Sequence, residues 1–158
     1  MRNLSNPVNF IKSIHNKGVK YLLIGRRAVI AYGGPVQTMD YDIYVDNDSK
    51  NIDLLFKVAE KFELSPTVPR EKIYTVFKFR LENDFVIDVF TFKYFVTREG
   101  KKISFQDIFK KRKIAKGKSG FKVFLPSIDD LIALKKIRGS IKDLEDIKYL
   151  EKIKENFT

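Results

Sequence analysis

Apolar positions along the chain change period several times, and each change predicts an element. Phe10, Ile11 and Ile14 recur at helical spacing after Asn6-Pro7, a helix start with proline in the first turn, and Gly18 stops the run. Tyr21–Ile24 is a short apolar run between Gly18 and Gly25, which predicts a buried strand. Arg26–Tyr32 predicts a short helix ended by Gly33-Gly34-Pro35, with Gly25 as the turn before it. Asp40–Val45 predicts the next strand; Ile52, Leu55, Phe56, Ala59 and Phe62 then mark the core face of a helix, and Ser65–Pro69 breaks the pattern. Two aromatic and β-branched runs, Ile73–Leu81 and Phe85–Phe92, flank Glu82-Asn83-Asp84 and predict a hairpin. Phe105, Ile108 and Phe109 mark another helix, followed by the basic stretch KKRKIAKGKSG and a strand at Phe121–Leu125. Ser127 with Asp130, and Ser140 with Asp143, are spaced as N-caps with an acid three residues on, and open two closing helices separated at Gly139. The sum is an α/β (α+β) fold: a mixed, twisted β-sheet flanked by helices, mostly on one face, with a helical C-terminal end and the site at one sheet edge.

Length and composition narrow the chemistry. The 158 residues fit one domain spanning 1–158, and 44% hydrophobic with 32% charged residues is a globular balance. No cysteine is present, and His15 is the single histidine. Disulfides, thiolate zinc sites, cysteine nucleophiles and most Ser-His-Asp chemistry are thereby excluded, so that any metal is held by oxygen. His15, on a surface-facing helix, is given no role. The start MRNLSNPVNF lacks a secretory signature, and no apolar run approaches membrane-spanning length, so a soluble, cytoplasmic protein with no membrane partner is expected.

Lys and Arg outnumber Asp and Glu by 31 to 20, a formal charge of +11 that favours a polyanionic partner such as a nucleoside triphosphate or RNA. A Lys- and Glu-rich chain without Trp also matches heat-adapted surfaces, so charge alone does not choose. Lys110–Lys118 could guide RNA, but it lacks aromatics interleaved for base stacking and is expected to be a solvated loop.

The acidic residues carry the sharper signal. Asp40 and Asp42 are two apart in the expected strand and therefore share a face, while Tyr41, Ile43 and Val45 take the other. Paired carboxylates repel, and a divalent cation supplies the missing charge. Asp88 sits inside the apolar strand Phe85–Phe90, where an ionised group needs either a cation or a basic partner such as Arg or Lys. Three such carboxylates from two strands could form an oxygen-ligand site for two Mg²⁺.

The segment LLIGRRAVIAYGGPVQTMDYDIYVD resembles the opening motif of minimal nucleotidyltransferases related to polymerase beta: an apolar strand, Gly-Gly or Gly-Ser, a short helix, then Thr-x-Asp-x-Asp in the next strand. VIDVF and LPSIDDLIALKKIRGSIKDLEDIKYL look like the third-carboxylate strand and closing motif of abortive-infection and toxin-type relatives, so that the resemblance covers most of the chain. It implies Mg²⁺ (or Mn²⁺) at Asp40, Asp42 and Asp88, with Asp88 as general base, and an NTP held by Gly25, Arg26, Thr38 and Lys135. Of the family's glycine pair only Gly25 is kept; Arg26 stands at the second position and either crowds the triphosphate or replaces its backbone contacts with a guanidinium. Lys135 points either toward nucleotide phosphates or simply into solvent. Asp143 and Asp146 match the closing acidic positions, where structural duty is the stronger expectation. The implied activity is nucleotidyl transfer to a hydroxyl on RNA, protein or a small molecule. The alternative is a regulatory or toxin–antitoxin module, weakened by Arg26, that binds nucleotide or a partner protein such as an antitoxin.

Overall fold

A computed structural model of the protein describes residues 6–117 and 120–156. Lys118 and Ser119 of the basic stretch lie outside the described residues. The chain opens with helix α1 (Pro7–Asn16), capped by the Asn6 side chain, which accepts from the Val8 N–H at 2.7 Å. Strand β1 (Tyr21–Ile24) and helix α2 (Gly25–Ala31) follow, then β2 (Asp42–Val45) and α3 (Ser49–Lys61). Short β3 (Ser65–Pro66) leads through a 3₁₀ turn (Arg70–Thr75) into the hairpin of β4 (Lys78–Glu82) and β5 (Val86–Phe90). A second hairpin, β6 (Tyr94–Val96) and β7 (Lys102–Ser104), precedes α4 (Phe105–Lys110). The strands β8 (Lys113–Lys116) and β9 (Lys122–Leu125) and the helices α5 (Ile128–Arg138) and α6 (Ile141–Asn156) complete the chain.

Five strands form a mixed sheet in the order β1-β2-β5-β4-β3, in which only β2 and β5 run parallel. Side chains of β1 and β2 alternate between two cores, which explains why YLLI is buried at every position. Tyr21, Leu23, Ile43 and Val45 face the larger core with α1, α2, α3 and the closing helices; Leu22, Ile24 and Tyr44 face a smaller one with Phe95, Ile103, Phe105 and Ile108. Tyr41 packs against the larger core, on the side expected for it.

Several sequence expectations are corrected. Ile73–Leu81 is not one strand: Arg70–Thr75 turns as a 3₁₀ helix, which buries Ile73 and leaves only Lys78–Glu82 to pair with β5. Lys113–Lys116 is a strand paired with β9 rather than a solvated loop, because Ala115 lies opposite buried Val123 and Lys113 opposite buried Leu125. The expected second strand starts at Asp42, so Asp40 lies before it, exposed. The acids do not lie at a sheet edge either, since Asp42 and Asp88 are opposite one another on the interior strands β2 and β5.

Candidate active site

Parallel pairing places Asp42 of β2 directly opposite Asp88 of β5, both on the sheet face that carries Tyr44 and Phe90. The two carboxyls lie within hydrogen-bond reach. Burial first, then the Asp88 charge and the hydrogen bond to it, then Asp40, push the Asp42 carboxyl up to about 7, with Lys78 opposing them. The Asp42 carboxyl therefore keeps its proton to near neutrality. Asp88 also receives Arg80 Nε at 2.9 Å and has Lys78 Nζ at 3.9 Å. These basic partners stand in its own hairpin, Arg80 opposite it and Lys78 two residues further along β4. Asp40 is exposed, its N–H donating to Thr38 Oγ1 at 3.0 Å. It acts on Asp42 through its charge, and among the described residues no group of three His, Cys, Asp or Glu side chains is arranged to hold a metal ion.

Gly25 turns the chain from β1 into α2 at φ 69°, and a Cβ there would collide with Asp42 Oδ2. Glycine at this position thus satisfies both a left-handed backbone and the close approach of a carboxylate. A cleft of about 260 Å³ opens beside this pair. Gly25, Asp42, Lys135, Arg138 and Asp143 line its polar side; Phe77, Phe90 and Phe92 line another, facing Leu131, Leu134 and Ile137 of α5. Phe77 and Phe92 stack with centroids 4.6 Å apart, and Phe90 meets Phe77 edge-on at 5.7 Å.

Lys135 lines this cleft, yet it is buried and ion-paired with Asp146 at 2.8 Å and Asp143 at 3.6 Å, so it is not a solvated lysine. Arg26 points away from the cleft toward α6, reaching Glu145 at 2.6 Å and Asp146 at 3.2 Å. Thr38 is spent on the loop: its carbonyl accepts from Arg27 at 2.9 Å and its hydroxyl from Asp40. Asp143 accepts from Arg138 Nε at 2.7 Å and from Ser140. Burial would raise the Asp143 carboxyl, but the Arg138 and Ser140 hydrogen bonds outweigh it and hold it at about 2.

The structure thus brings Gly25, Asp42 and Lys135 to one cleft and joins Asp88 to it through Asp42. Arg26 and Thr38 are committed to neighbouring protein groups, and His15 bonds Tyr21 Oη at 2.8 Å near the other end of β1. Arg80, Arg138 and the three phenylalanines escaped the sequence reading. Counting back from the loop Glu82-Asn83-Asp84 would have put Arg80 opposite Asp88, because the hairpin pairs Glu82 with Val86. Nothing local marks Arg138 or Phe77.

A mixed sheet with paired aspartates on adjacent parallel strands, next to a glycine turn into a short helix, is the nucleotidyltransferase fold. Two solved structures share it across most of both chains. The first is a Thermotoga maritima protein assigned as a nucleotidyltransferase (TM1012), with TM-score 0.60 and 15% identity, covering 86% of each chain. The second is the lincosamide antibiotic adenylyltransferase LnuA with lincomycin bound, with TM-score 0.59 and 18% identity, covering 88% of this chain and 90% of that one. No family model and no curated protein matches the sequence. No helix among the described residues is long and apolar enough to cross a membrane.

Proposed function

We propose that this protein is a Mg²⁺-dependent nucleotidyltransferase that moves a nucleoside monophosphate from an NTP to a hydroxyl acceptor on RNA, protein or a small molecule, releasing pyrophosphate. The observation that carries this reading is the Asp42–Asp88 pair: two carboxylates in register on parallel strands, close enough that the Asp88 charge raises the Asp42 carboxyl, with Asp42 facing a cleft beside Gly25. Mg²⁺ takes one or two carboxylates and fills its remaining positions with water and phosphate oxygens, so this donor set fits it, and Mn²⁺ equally. Asp42 and Asp88 would hold the ion, with exposed Asp40 as the third acid. When bound, the metal neutralises phosphate charge and aligns the displacement.

The chain's own groups do the rest. Asp88 takes the proton of the acceptor hydroxyl as the oxygen–phosphorus bond forms and the bond to pyrophosphate breaks. Arg138 lines the cleft near enough to Asp42 to feel its charge, and offers a cation to the triphosphate. Phe77, Phe90 and Phe92 provide flat apolar surface for a ring. LnuA, an adenylyltransferase with an antibiotic bound, favours a small-molecule hydroxyl among the acceptors.

One observation favours a second reading. Arg26, where the resembled motif has Gly or Ser, is locked onto Glu145 and Asp146, an arrangement suited to a regulatory or toxin–antitoxin module that keeps the fold with weakened turnover. Binding of each labelled NTP with Mg²⁺ or Mn²⁺, then transfer to RNA, protein and small hydroxyl compounds, separates the two. Metal-dependent transfer that falls on the order of a hundredfold or more in Asp42→Ala supports the enzyme. Absence of both binding and transfer in the wild type supports the module.

A further inference from the structure

The chain's acidic residues are unevenly placed: no Asp or Glu occurs in residues 1–39 or in residues 108–128. The fold packs these two acid-free segments together. The Phe124 N–H donates to Tyr21 Oη at 3.1 Å, the His15 ring lies 4.6 Å from that of Phe124, and Lys12 Nζ lies 6.0 Å from the Phe121 ring centre. Antiparallel pairing sets exposed Lys116 directly opposite exposed Lys122, on the same ribbon face as Ile114 and Phe124. Arg112 lies over the rings of Phe109 and Phe124, at 4.0 and 4.7 Å. Among the described residues, none of Lys12, Arg112, Lys116 or Lys122 forms an ion pair, whereas Lys78, Arg80, Lys111, Lys135 and Arg138 all do.

Like charges placed opposite across two strands are destabilising. A lysine on an exposed strand edge guards against edge pairing, which accounts for Lys113 but not for the opposed pair or for Arg112. From these unpaired cations on two acid-free segments we infer a binding site for the phosphate backbone of a nucleic acid, made by Arg112, Lys116 and Lys122 with Lys12 beside them. A row of cations along a ribbon suits a linear polyanion. The exposed apolar area, essentially Ile114, is too small to seat the face in a bilayer. The face adjoins Tyr21, which pairs with Val45, while Ile24 at the other end of β1 pairs with Asp42, so roughly 10 Å of strand separates it from the acid pair. The two sites are therefore separable by mutation.

The test is fluorescence anisotropy of the full chain with a labelled RNA hairpin and a labelled DNA duplex over a salt series. We expect Lys116→Gln with Lys122→Gln to weaken binding at least tenfold and to reduce the slope of log affinity against log salt by about 1.4 to 1.8, two phosphate contacts' worth. Lys→Arg changes at both positions should restore affinity, and Asp42→Asn should leave it intact, whether or not nucleotidyl transfer is ever detected. Absence of binding at about 50 mM salt, unaltered affinity in the glutamine double variant, an equal loss from Lys57→Gln with Lys61→Gln on α3, or binding only to anionic vesicles overturns the inference.

Discussion

Burial and the neighbouring Asp88 push the Asp42 carboxyl to about 7 from an ordinary 3.8, and this ties stability to pH. Between those two values the folded chain holds a proton that the unfolded chain has released, so stability falls as pH rises through the window and levels off above it. Asp42→Asn removes that loss. The variant should match the wild type below about pH 4 and exceed it by roughly 2–4 kcal/mol above about pH 7, read by urea titration at each pH. Mg²⁺ should raise the wild-type melting temperature at alkaline pH and leave that of Asp42→Asn unmoved, and an equal response in both would remove the metal from this pair. Gly25→Ala tests the same place sterically. A side chain at φ 69° pressed on the Asp42 carboxylate should cost about 1–3 kcal/mol, and NTP binding should drop with it; calorimetry and a melt check both.

At the scale of elements, α6 is held to the rest of the fold by buried charge. Lys135 of α5 and Arg26 of α2 converge on Asp146, which has no solvent exposure, while Arg138 and Ser140 clasp Asp143. Lys135→Met strips Asp146 of its closest cation and should cost about 3–5 kcal/mol, measured by urea unfolding. A loss below about 1 kcal/mol would mean that Lys135 is held for a ligand rather than for α6. Legibility differs among the elements for a physical reason. Apolar periodicity exposed α1 and α3, a continuous apolar run between glycines exposed β1, and the Ser-x-x-Asp cap spacing exposed the two closing helices. The hairpin Tyr94–Val96 and Lys102–Ser104 has one buried residue per strand, Phe95 and Ile103, too few to set a period. β8 reads as a solvated loop because its outward positions are basic and its stability comes from β9.

Over the whole molecule, the two faces of the sheet have different employments. One is closed by most of the helices over the larger core; the other is covered by the β6–β7 hairpin and α4 near Tyr44 and left open past Asp42, where the cleft forms. Charge is divided as well. Acids gather at the cleft and along α6, while the acid-free segments around β8 and β9 build a cationic surface at the other end of β1. A net charge of +11 states the sum, and only the fold states where it acts.

By itself the sequence determined the local elements with strong signals and the mixed α/β architecture, and it offered Asp40, Asp42 and Asp88 beside a glycine turn as the candidate site, because turn chemistry, periodicity and a carboxylate within an apolar strand are all local signals. Tertiary structure decided the partners. The pairing of β2 with β5 puts Asp42 against Asp88, packing against α6 takes Arg26 out of the cleft, and α5 brings Lys135 and Arg138 to its wall. Such partnerships join residues far apart in the chain, and they follow from strand register and helix packing that no local pattern encodes.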